Sequence, residues 1–120
     1  MSTKRLLYCA PLMPEYDRES GSRTIFQLID LLRESGWAVS FLARDGAGGE
    51  RYARILRQRG VAVYAGGDSR FVGDEYLVDF EQLVRTARFH IALFAFWYVA
   101  EQYMPIVRKV SSETRGYEGW

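Results

Sequence analysis

Apolar residues along this chain alternate between two patterns. Short, nearly continuous runs stand at Lys4–Ala10, Trp37–Ala43, Val61–Tyr64 and His90–Phe96. Continuous runs of this length, bounded by polar or glycine-rich stretches, predict strands covered on both faces. Between them the apolar residues recur every three or four positions, the period of a helix. Ile25, Leu28, Ile29 and Leu32 form such a stripe within Arg23–Ser35, with Thr24, Gln27, Asp30 and Arg33 on the wet side. Tyr52, Ile55 and Leu56 form a weaker one within Glu50–Arg59, and Phe80, Leu83, Val84 and Ala87 a third. Val99, Tyr103, Ile106, Val107 and Val110 carry the last, which Pro105 interrupts. A proline there predicts a kink or a helix end near Met104.

Punctuation supports these elements. Gly36 and Gly60 follow two of the helices, where a left-handed residue closes the last turn. Ser20 or Ser22 is placed to cap the first helix, and Asp79 with Gln82 has the spacing of a capping box on the third. Arg44–Gly49 reads as a turn and Ala65–Asp79 as a long irregular loop. The order βαβαβαβα predicts an α/β fold: a Rossmann-like open parallel sheet with helices on both faces and strand order 3-2-1-4. The chain reads as one domain over residues 1–120. After Val110–Arg115 it stops at Gly116–Trp120, so strand 4 is expected at an open edge of a truncated piece of a larger protein. That edge also predicts that the fragment pairs with itself as a homodimer.

Composition narrows the classes. Apolar content is 48%, enough for one core, and the net charge is +1, with no basic surface for a nucleic acid. Cys9 is the only cysteine; it excludes an internal disulfide and a multi-cysteine metal site, and reads as a small core residue. No metal or cofactor is expected. Met1–Arg5 leads into only a short apolar run, unlike a signal peptide, and Ile91–Ala100 is too short to span a bilayer, so a cytoplasmic protein is expected.

The chemistry of the chain is expected beyond the carboxyl ends of the strands, where open α/β sheets bind ligands. Pro11–Ser22 there is longer than the roughly two to six residues of most such connections. It crowds Tyr16, Asp17, Arg18 and Glu19 together, as a binding loop would. Ser20, Gly21, Ser22 and Arg23 follow at a helix start, with free N–H groups, a glycine permitting close approach and a fixed positive charge, a natural anion site. A dinucleotide site would need G-x-G-x-x-G directly after strand 1, and only Gly21 is present; Asp45 reads as a turn residue. His90, the only histidine, enters strand 4 far from its carboxyl end and reads as a locally bonded residue; no nucleophile triad can be assembled. Glu15, Asp17, Glu19 and Glu101 are carboxylates within reach of general-base work. Phe96, Trp97 and Tyr98 end strand 4 and are suited either to stack on a sugar or a base or to pack against a neighbour.

These residues resemble a family. RLLYCAPLMPEYDRESGSRTIFQLIDLLRESGWAVSFLARD is similar to the opening of group 1 glycosyltransferases of the GT-B fold: an apolar strand, a loop with Pro11 and Pro14, the small-residue turn Ser20-Gly21-Ser22, then Leu28, Leu31, Gly36, Val39 and Phe41. LRQRGVAVY and FHIALFAFWYVAEQYMPIVRKVSSETR resemble the later steps, in the branch that builds bacterial surface polysaccharides. The resemblance covers nearly all of residues 5–115 and implies the acceptor-side portion of a two-domain enzyme. Such a parent moves a sugar from a nucleotide-sugar donor to a saccharide or lipid-linked acceptor, with peripheral membrane association. The fragment alone would be inactive. The resemblance assigns the donor phosphate to Ser20, Gly21, Ser22 and Arg23, and the acceptor to Tyr16, Asp17, Trp97 and Tyr98. Many relatives carry a histidine after the fourth strand; this chain has Phe96–Tyr98 there. The alternative is a small flavodoxin-like domain that binds or regulates without chemistry.

Overall fold

A five-stranded, all-parallel sheet in the order β3-β2-β1-β4-β5 carries the molecule. The computed structural model describes residues 4–14, 20–45, 49–66 and 76–119. Its elements are β1 (Lys4–Leu12), α1 (Ser20–Glu34), β2 (Trp37–Asp45), α2 (Glu50–Gln58), β3 (Ala62–Ala65), α3 (Phe80–Ala87), β4 (Ile91–Ala95), α4 (Trp97–Val110) and β5 (Arg115–Gly119). The order 3-2-1-4-5 is that of a Rossmann-like sheet, with the switch point between β1 and β4; a flavodoxin-like sheet would run 2-1-3-4-5.

β1 explains why its run is apolar throughout. Leu6, Tyr8 and Ala10 point into one layer and Leu7 and Cys9 into the other, and all five are buried. The first layer is closed by α1 through Phe26 and Ile29 and by α2 through Tyr52, Ala53 and Leu56. The second is closed by α3 through Phe80, Leu83 and Val84 and by α4 through Val99, Ala100, Tyr103 and Val107. The α1 stripe is rotated from its expected centre: Phe26 and Ile29 are buried, Ile25, Leu28 and Leu32 pack beside them, and Leu31 is exposed. Tyr76, in the stretch expected as irregular loop, is also a core residue, with the Arg57 guanidinium 4.0 Å from its ring centre.

Several boundaries differ from the sequence expectation. β1 runs on to Leu12, and α1 already begins at Ser20. Ser20 and Ser22 therefore both lie within the first turn of α1. Asp79 does occupy the position before α3, but its side chain makes no capping hydrogen bond. α4 continues through Pro105 to Val110. Proline there withdraws the donor for the Glu101 carbonyl, and both residues are exposed, so water can take its place. Asp45 belongs to β2, paired in register with Leu12, and is not a turn residue.

The largest difference is at the end of the chain. β4 is not an edge, because Arg115–Gly119 lies parallel to it as β5, and the premise of an open edge at strand 4 is withdrawn. A small polar hinge makes the turn. The Thr114 hydroxyl donates to the Phe89 carbonyl at 2.6 Å, the Ser111 hydroxyl lies 2.8 Å from Thr114 Oγ1, and the Arg115 N–H donates to the His90 carbonyl at 3.0 Å. His90 itself stands before β4, and its Nδ1 accepts the Arg5 N–H at 3.0 Å. That partner is across the sheet rather than near in sequence.

Candidate functional site

The site is built where β4 passes into α4 without an intervening loop. Ala95 ends the strand and Trp97 begins the helix, so the whole turn falls on Phe96. Phe96 takes φ 73° and ψ 147°, a region that glycine occupies readily and side-chain-bearing residues avoid. Its carbonyl accepts the first bond of α4, from the Ala100 N–H at 3.3 Å. Such strain costs on the order of 1–3 kcal/mol and persists where the surroundings hold it.

The strained turn displays three aromatic rings at the carboxyl end of β4. Phe96 is 51% exposed and Trp97 65% exposed, while Tyr98 is half-buried. Tyr98 is their hub: the Phe96 ring stacks at 5.8 Å with an interplanar angle of 7°, and the Trp97 ring meets it edge-on at 5.7 Å. The fourth member comes from β2. Arg44, half-buried, places its guanidinium 4.9 Å from the Tyr98 ring centre, a cation–π contact. No carboxylate among the described residues pairs with Arg44.

Beneath this array lies Tyr103. Its ring packs on Phe80 at 4.5 Å, and a Cβ placed on Gly66 would come within 3.3 Å of its hydroxyl and 3.2 Å of the Arg44 carbonyl. The absence of a side chain at Gly66 is what lets this corner close. Burial pushes the Tyr103 hydroxyl pKa up, Cys9 adds to the rise, and the Arg44 charge opposes it. Arg44 is therefore electrically close to both tyrosines. Cys9 itself is fully buried, and burial drives its thiol far above the ordinary range, which makes it a core group rather than a nucleophile.

Of the residues expected at the site, Trp97 and Tyr98 are brought together as described. Ser20, Gly21, Ser22 and Arg23 form the first turn of α1, with Arg23 exposed. Tyr16 and Asp17 lie outside the described residues, as do Glu15 and Glu19; Glu101 is exposed on α4. Arg44 and Tyr103 are the members that sequence reasoning missed. Arg44 sits two residues beyond Leu42, on the same face of a strand that was expected to end at Ala43. That parity is the signal that would have placed it beside α4. Among the described residues no three metal-ligating side chains gather, and no helix is long and apolar enough to cross a membrane.

Comparison with known proteins adds no relative: no family model, curated protein or solved structure matches this chain. Fold and site together define an α/β domain with a Rossmann-like parallel sheet and an aromatic corner beside its switch point.

Proposed function

We propose that this chain is the acceptor-side portion of a GT-B glycosyltransferase. In this reading the parent transfers a sugar from a nucleotide-sugar donor to a saccharide or lipid-linked acceptor. The observation that carries it is the exposed ring array at the end of β4, held out on a strained backbone. Trp97 is 65% exposed, and an exposed aromatic ring is what the C–H side of a pyranose stacks on. The array lies next to the switch point between β1 and β4, where parallel sheets of this order bind ligands. Trp97 and Tyr98 take the acceptor, together with Tyr16 and Asp17. The first turn of α1, Ser20–Arg23, meets the donor phosphate with the N–H groups of a helix start.

The chain alone does not catalyse transfer in this reading. Stabilising the leaving diphosphate and the developing oxocarbenium charge requires groups preorganised around both, which the reading assigns to a second domain. The test has two arms. Immobilised oligosaccharides should retain the chain, and Trp97→Ala should abolish retention with an unchanged far-UV spectrum. Incubation with nucleotide sugars and those same oligosaccharides should yield no product. Failure of every saccharide to bind would overturn the reading, and transfer above background would overturn the assigned inactivity.

A further inference from the structure

Arg44, at the edge of the aromatic array, has no carboxylate partner among the described residues. Arg44 presents a planar fork of N–H donors, and Tyr98 occupies only its π face. A charge partly withdrawn from water gains from a counter-charge. Here no described carboxylate supplies one. The chain carries only +1 overall, so any attraction for an anion at this corner is local. The guanidinium and the exposed Trp97 ring lie 4.9 and 5.7 Å from the same Tyr98 ring centre. The guanidinium and the Trp97 ring are therefore at most 10.6 Å apart, a span that one bound saccharide with its anionic group can bridge.

We propose that this corner takes an anionic saccharide, its ring on Trp97 and its carboxylate or phosphate on Arg44. The inference rests on the saccharide-binding reading above and narrows it. Arg44 is then the residue that sets specificity: Trp97 accepts sugar rings in general, and Arg44 selects those that carry charge. Uronic acids and sugar phosphates share this chemistry, and the probes below separate them.

The experiment is an NMR titration of the ¹⁵N-labelled chain with D-glucose, D-glucuronate, glucose 6-phosphate and inorganic phosphate. The signals read are the Trp97 indole N–H, the Tyr98 amide and the Arg44 Nε–H. At least one charged sugar should bind roughly tenfold or more tightly than glucose, the scale of a hydrogen bond between charged groups. Which one binds identifies the anion. Arg44→Gln should bring the charged sugars down to the level of glucose, whereas Trp97→Ala should weaken every sugar. Arg44→Lys, which keeps the charge and loses the fork, should retain part of the preference. If a variant loses its native spectrum, the preference in the wild-type chain should still fall as salt rises, because the contact is partly exposed.

Equal binding of glucose and charged sugars, or a preference that survives Arg44→Gln, would overturn the inference and leave the saccharide reading standing. Inorganic phosphate moving these signals as strongly as glucose 6-phosphate would also overturn it, since the site would then recognise an anion and not a sugar. Binding of no sugar at all would remove both.

Discussion

Phe96 is the residue at which the fold and the site make opposite demands. A glycine would adopt φ 73° and ψ 147° without strain, yet the chain places a phenyl ring there and stacks it on Tyr98. Two substitutions separate the terms. Phe96→Ala keeps the strained backbone and loses the stack, while Phe96→Gly loses the stack and relieves the strain. The stack contributes about 0.5–1.5 kcal/mol and the strain costs about 1–3 kcal/mol. Phe96→Gly should therefore unfold at a higher urea concentration than Phe96→Ala, by the equivalent of about 1 kcal/mol or more. Equal midpoints would show that the turn is not strained. Other single residues were legible to different degrees. Cys9 could be assigned to the core because it sits inside an unbroken apolar run, and it is buried there. Arg44 could not be assigned to the site, because a charged residue before Asp-Gly looks like the start of a turn. Its role depends on a tyrosine 54 positions later that only the β1–β4 neighbourhood brings near.

At the scale of elements, periodicity was a sound guide wherever packing set the pattern. The four helical stripes face the sheet because their apolar residues have nowhere else to go, and Gly36 and Gly60 close α1 and α2 at φ 94° and 86°. β5 was illegible for a physical reason. Arg-Gly-Tyr-Glu-Gly has no apolar run and no alternation, and what docks it is a hinge of hydroxyls and a glycine flush against its neighbours. A Cβ on Gly116 would lie 3.3 Å from the Phe94 ring and 3.4 Å from Met104. Thr114→Val tests the hinge. It removes the donor to the Phe89 carbonyl and the partner of Ser111, at a cost of about 1–3 kcal/mol for the polar groups left behind. The loss should be confined to the edge: amides of β5 should exchange with solvent faster while those of β1 and β2 keep their protection. Uniform acceleration across the sheet would mean that β5 is integral to the core and not a docked edge.

For the molecule as a whole, the central strand carries two groups, Tyr8 and Cys9, that make stability respond to alkali, beside Tyr103 on α4. β1 sends Tyr8 into one layer and Cys9 into the other, and burial is the main cause of the raised pKa in both. The Tyr8 hydroxyl is pushed up from 10.0 to about 12, and the Cys9 thiol is raised further from its ordinary 9.0. Both groups are neutral when protonated, so the unfolded chain releases their protons first as pH rises. The stability they contribute is complete below the unfolded values and is lost above them. Between pH 9.0 and 10.0 the thiol is the first of the two to act. Each group beyond its unfolded pKa costs about 1.4 kcal/mol per pH unit until the folded pKa is reached. Urea unfolding at pH 7.5 to 10 should therefore show wild-type stability level at first and then falling by about 1.4 kcal/mol. Cys9→Ala starts lower, because it leaves a small cavity. Its curve should nevertheless stay nearly flat over the same range, so that the two approach each other at the alkaline end. Parallel curves would show that the thiol is not what the folded core keeps protonated. The thiol's reaction with a disulfide reagent gives an independent check: at neutral pH it should proceed only as fast as the sheet opens, and accelerate in urea in step with unfolding.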